Sequence, residues 1–191
     1  MTKTNSETAK KILLTSAGFE SDEVQNAFLK FLGKAPQDAK ALFIPTAANN
    51  AGAIAVLPKC MNDLLKVGIV EKNIHVFDLH RALSFEELSA FDAVYFTGGS
   101  PQYLMERINK TGFNAQLNEF VNSGGIYVGV SAGSYVAAGN LPNSLGFLKA
   151  TLKVHTENGT PVGVFDNDAL THIDLTDKNA VVIYNDVYEI I

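Results

Sequence analysis

The sequence predicts an α/β fold: a mostly parallel sheet covered by helices on both faces, with antiparallel edge strands added towards the C-terminus. Three observations carry that expectation. Short continuous apolar runs alternate with amphipathic stretches as far as residue 138, the pattern of strands buried on both faces and joined by crossover helices. Small-residue turns stand where these runs end, at Ala17-Gly18, at Thr97-Gly98-Gly99-Ser100 and around Ser131. After Gly139 the helical spacing stops, and short apolar runs are separated by polar turns.

Residues 1–9 read as a polar lead-in, and Lys11–Ser16 as a first buried strand. Ser21 or Asp22 caps a helix through Val24, Phe28, Leu29 and Leu32, which Gly33 and Pro36 end. Ala41–Ile44 is a second strand, stopped by Pro45; a helix then runs from about Ala53 to Val67. Ile74–Phe77 is a third strand, and Ser84-Phe85-Glu86-Glu87 has the form of a capping box. Ala93–Phe96 is a fourth strand, followed by helices near 101–109 and 113–122 and a fifth strand over 125–130. Leu145–Val154, Val162–Phe165, Leu170–Ile173, Val181–Tyr184 and Val187–Ile191 are the expected late antiparallel strands. Val187–Ile191 reads as a buried edge strand rather than a subunit contact.

Composition narrows the class of function. The 191 residues, 47% hydrophobic and 18% charged, suit one domain with a real core. The net charge of −5 and the absence of any basic tract disfavour nucleic-acid binding. Cys60 is the one cysteine, so neither an internal disulfide nor a Cys-rich zinc site is expected, and the scattered histidines give no metal-ligand spacing. Asp166-Asn167-Asp168 reads as a polar turn. No apolar run reaches membrane-spanning length and the first residues lack a signal-peptide pattern, so a soluble cytoplasmic protein is expected.

The chemistry concentrates at Gly129-Val130-Ser131-Ala132-Gly133. An apolar run ends abruptly at a serine with small residues on both sides, and a helix-forming stretch follows. This is the context of a nucleophile elbow, a crowded strand-to-helix turn that exposes the serine hydroxyl. The plainer alternative is a tight turn whose Ser131 only caps the helix. A nucleophilic serine needs a base, and the base needs an orienting group. Of the four histidines, His75 lies inside a strand, His80 follows it, His172 lies in a late strand, and His155 ends an apolar run after the serine. His155 is favoured as the base. Asp186, between two late strands, is the first choice of acid, with Asp174, Glu157 and Asp168 as alternatives. Gly98-Gly99 after the fourth strand reads either as a donor of backbone N–H to an oxyanion or as an ordinary turn.

From Phe96-Thr97-Gly98-Gly99-Ser100 through Leu104, Gly112 and Phe120-Val121 to Gly124–Gly133, the chain resembles the dipeptidase E family of serine peptidases. Ile44-Pro45-Thr46-Ala47 fits the family's second strand, and Leu145–Leu148 with Leu152–His155 fits the approach to its histidine. The resemblance implies a three-layer αβα sandwich around a flavodoxin-like sheet, as in class I glutamine amidotransferases. It implies Ser131 as nucleophile, His155 as general base, a late acid nearest Asp186, and the Gly99 and Ala132 amides as oxyanion hole. Gly98 and Ser100 would flank the bound substrate, a short peptide, and no cofactor or metal is called for. No arginine follows Arg107, so the arginine with which aspartyl dipeptidase holds an acidic side chain has no counterpart. The alternatives are another Ser131-dependent hydrolase, such as an esterase or cyanophycinase-like enzyme, and a non-catalytic small-molecule binder.

Overall fold

The structure is a computed structural model that describes residues 9–166, 168–185 and 187–191. Its strands are β1 (Lys11–Thr15), β2 (Ala41–Ile44), β3 (Ile74–Val76), β4 (Ala93–Phe96), β5 (Ile126–Val130), β6 (Thr151–Lys153), β7 (Gly163–Asp166), β8 (His172–Asp174), β9 (Ala180–Tyr184) and β10 (Val187–Ile190). Its helices are α1 (Asp22–Leu32), α2 (Ala51–Ala55), α3 (Leu57–Lys66), α4 (Phe85–Leu88), α5 (Pro101–Thr111), α6 (Phe113–Asn122) and α7 (Ala132–Ala137).

Eight strands form one sheet in the order β3-β2-β4-β5-β1-β9-β10-β7. The first five in that order pair in parallel, and β9, β10 and β7 extend the sheet antiparallel from β1. The run β3-β2-β4-β5 repeats the flavodoxin order shifted by one strand, with β1 in the fifth place. Side chains alternate between two cores. Ile12, Leu14, Ile44, Phe96 and Tyr127 pack with α5, α6 and α7 on one face. Leu13, Phe43, Tyr95 and Val128 pack with α1 and α3 on the other. Both faces of β1, β2, β4 and β5 are therefore buried, which is why these strands read as unbroken apolar runs, whereas β3 lies at the exposed edge.

The local punctuation behaves as its chemistry dictates. Ser21 Oγ accepts from the Val24 amide at the start of α1, and Gly33 ends that helix at φ 64°. The Ser84–Glu87 capping box is formed in both directions. Three expectations need correction. The single helix over 53–67 is split into α2 and α3 at Val56, because Pro58 in the first turn of α3 has no amide to continue a ladder from α2. The late strands are not all antiparallel additions to one edge, for β6 and β8 form a separate parallel pair. Most of 145–154 is loop as well. Asn143 and Gly146 take positive φ, and the Leu145 and Phe147 amides bond back to carbonyls of α7, so only Thr151–Lys153 is left to pair.

Candidate active site

Ser131 sits between β5 and α7 with φ 49° and ψ −100°, a conformation that non-glycine residues avoid. The turn is held from several sides. The Ser131 amide donates to the Thr15 carbonyl at 3.0 Å, and Ser134 Oγ bonds the carbonyls of Thr15 and Gly129 at 2.7 and 2.8 Å. Tyr127 Oη donates to the Gly133 carbonyl at 2.7 Å. A Cβ on Gly129 would lie 2.7 Å from the Gly133 backbone, and one on Gly133 would lie 2.7 Å from Phe96 Cβ. Both glycines of the motif are thus required by close approach, and strain of this kind persists where the surroundings over-determine it.

The carboxyl end of β4 lies against the same serine. A Cβ on Gly98 would stand 3.3 Å from Ser131 Cβ. Gly99 takes φ +139° beside the Ala47 carbonyl, where no side chain fits. Ser100 Oγ accepts from the Tyr103 amide as N-cap of α5, so its hydroxyl is committed to the helix start.

His155, the candidate base, comes from the two-stranded sheet. His155 follows β6 by two residues, takes φ 57°, and sets Nε2 3.3 Å from Ser131 Oγ. Its Nδ1 lies 2.6 Å from Oδ1 of Asp177. Asp177 follows β8, and because β6 and β8 run parallel their carboxyl ends emerge side by side. The Leu175 amide bonds the Lys153 carbonyl and the Thr156 amide bonds the Leu175 carbonyl, continuing the ladder between the two connections. Partial burial works to raise the Asp177 pKa, but hydrogen bonds from His155 and Ser16 and the charge of His155 outweigh it and hold the carboxyl below its ordinary value. A Ser–His–carboxylate line with the imidazole between the other two is the arrangement of an activated nucleophile.

A model of peptidase family S51 matches residues 12–147. The chain belongs to peptidase family S51. The matched stretch holds Ser131 and ends before His155 and Asp177. Among relatives, an uncharacterized peptidase of Pasteurella multocida is 26% identical over 132 residues, 69% of this chain and 62% of that protein. An uncharacterized peptidase of Listeria monocytogenes is 23% identical over 134 residues, 70% of this chain and 65% of its own length. The chain thus spans less than two thirds of either curated relative. A solved Listeria monocytogenes structure, described as a candidate peptidase E protein, superposes with TM-score 0.74 at 20% identity, covering 96% of this chain and 98% of that one. A peptidase from an acI-B1 actinobacterium superposes with TM-score 0.66 at 18% identity, over 95% of this chain and 86% of the other. These two likenesses are of fold.

In this S51 chain the other described sequence candidates stand elsewhere. Asp186 lies outside the described residues, and the carboxylate on His155 is that of Asp177, which the sequence reading did not weigh. Asp174 stands 3.5 Å from His172, and Asp168 pairs with Lys149 on the surface. His75 packs edge-on to Phe91, and His80 Nδ1 faces the Asp78 carbonyl. Glu157 is exposed in the bend after His155. Among the described residues, no group of three or more His, Cys, Asp or Glu side chains is gathered as a metal site requires, and no helix is long and apolar enough to cross a membrane.

Proposed function

We propose that this S51 chain is a serine-type peptidase that hydrolyses short peptides through an acyl-enzyme. The observation that carries the reading is the unbroken line from Ser131 Oγ through the His155 ring to Asp177, at 3.3 and 2.6 Å. In the proposed reaction His155 Nε2 takes the Ser131 proton as Oγ attacks the scissile carbonyl carbon. Asp177 accepts from Nδ1, fixing the tautomer that leaves Nε2 free and stabilising the imidazolium formed. The amides of Gly99 and Ala132 are the proposed donors to the oxyanion, a role supported by the closeness of the β4 turn to Ser131. The imidazolium then gives its proton to the leaving amine. A water attacks the acyl-enzyme with His155 again as base, and Ser131 is restored. Gly98 and Ser100 line the proposed peptide path through their backbone. No cofactor enters this scheme, and a cytoplasmic setting accompanies it. No arginine follows Arg107 in this sequence, so an aspartyl preference is no part of the proposal.

The test is covalent labelling with an alkyl fluorophosphonate and mapping of the adduct by mass spectrometry. An adduct on Ser131, absent in Ser131→Ala and strongly slowed in His155→Ala, is the expected result. An adduct on another residue, or labelling of Ser131 at an unchanged rate without His155, would sink the reading.

A further inference from the structure

Ser16 is buried at the carboxyl end of β1, next to the strand that carries the nucleophile, and lies outside the elbow motif. Its hydroxyl makes two contacts that no packing requirement explains. It donates to Oδ1 of Asp177 at 2.9 Å and accepts the backbone amide of His155 at 2.8 Å. The same oxygen stands 3.3 Å from His155 Nδ1, at the flank of the His155–Asp177 bond. One side chain on the main sheet therefore holds both members that the two-stranded sheet contributes.

We propose that Ser16 is a positioning residue for the reaction, fixing the Asp177 carboxylate and the strained His155 backbone relative to Ser131. The inference rests on the Ser131–His155–Asp177 reading above and adds a fourth residue to it. Two features make Ser16 suited to the task. The first is rigidity. Thr15 Oγ1 donates to the Gly129 carbonyl at 3.2 Å and accepts the Gly18 amide at 3.1 Å. Asp63, buried under the following turn, accepts the Phe19 amide at 3.1 Å and Tyr95 Oη at 2.6 Å. Residues 15–19 are thus clamped to β5 and α3 independently of His155 and Asp177. The second is need. His155 and Asp177 have side chains 53% and 58% exposed, so solvent competes for their mutual bond and little packing holds either one. A hydroxyl anchored in the core supplies the fixed point that packing does not. Catalytic geometry tolerates errors well below 1 Å.

The experiment measures fluorophosphonate labelling of Ser131 in the full chain, separating the maximal rate from the half-saturating concentration. The variants are Ser16→Ala, Ser16→Cys, Asp177→Asn and the double variant Ser16→Ala/Asp177→Asn. Ser16→Cys keeps the shape of the side chain and weakens the donor, so it reports even if Ser16→Ala fails to fold. Both Ser16 variants are expected to lower the maximal rate about 10-fold or more at an unchanged half-saturating concentration. The double variant is expected to label no more slowly than Asp177→Asn alone, because residues acting through one another are not additive. A wild-type maximal rate in Ser16→Cys overturns the proposal, and so does an additive loss in the double variant, which would mark a merely structural role. Wild-type labelling by Asp177→Asn would instead overturn the Ser–His–Asp reading itself, so the two failures are distinguishable.

Discussion

Ser131 is held by a turn whose neighbours Val130, Ala132, Gly133 and Ser134 are all buried, whereas His155 and Asp177 hang from short connections with their side chains more than half exposed. The first half is local in sequence. The described residues that shape the elbow, apart from Thr15, Phe96 and Gly98, run from Tyr127 to Ser134. The second half depends on β6 pairing with β8 across about twenty residues, and on Ser16, 139 positions from His155. Ser131 is thus set by backbone crowding, which cannot relax without moving the sheet. His155 and Asp177 are set by a few side-chain hydrogen bonds, each of which a single substitution removes.

The contrast predicts how the two halves break. Ser131→Ala is expected to cost roughly 10⁴-fold or more in peptide hydrolysis or labelling, with the melting temperature nearly unchanged, because an alanine fits where the serine is. A circular-dichroism melt beside the kinetic assay checks both parts. Asp177→Asn is expected to cost on the order of 10³–10⁴-fold, since an amide on Nδ1 favours the wrong tautomer. Asp174→Asn is expected to change the rate less than about 3-fold, and a large loss in it or in Asp186→Asn with Asp177→Asn active would move the acid. Gly129→Ala should act oppositely to Ser131→Ala. Its Cβ meets backbone at 2.7 Å, so the fold suffers before the chemistry does. A loss of about 3 kcal/mol or more in urea unfolding is expected, in the range of severe overpacking.

The same contrast explains what could be read in advance. The inner parallel strands were legible because successive residues such as Ile12, Leu13 and Leu14 all enter a core, leaving no polar face to blur the run. Ser131 was legible because crowding demands small neighbours, and the glycines are visible as letters. His155, which stands beside Ser131, was singled out by its place after an apolar run. Asp177 was not. It sits in Leu175-Thr176-Asp177-Lys178-Asn179, a polar turn closed by the Asn179 amide on the Thr176 carbonyl, and nothing local separates it from the other late acids. Its place beside His155 follows from the parallel pairing of β6 and β8, and three-residue strands carry too short a period to announce their partner. The break at Val56 was hidden for a different reason. Pro58 is acceptable in a first helical turn, so the same letter fits a helix start and a helix interruption.

The smallest expected effect concerns the clamp beneath Ser16. Asp63 is buried beside Tyr95 and Cys60, and burial pushes its carboxyl above the ordinary carboxylate value, against hydrogen bonds from Tyr95 and Phe19 that pull it down. A carboxyl whose folded pKa lies above its unfolded one weakens the fold as pH climbs from the unfolded value, near 4, through the folded one. Asp63 should therefore contribute a falling segment to the stability curve in mildly acidic solution. Asp177, held below its ordinary value, contributes the opposite slope, lost as the pH drops through its folded pKa. Asp63→Asn keeps an acceptor for the Phe19 amide and removes the charge. Urea unfolding of the wild type and Asp63→Asn from pH 4 upward should show the gap between them shifting in favour of the variant as pH rises. A gap independent of pH would mean that Asp63 titrates alike folded and unfolded. The turn after Ser16 would then be clamped by hydrogen bonds alone, without the electrostatic cost that sets this buried acid apart from the exposed one on His155.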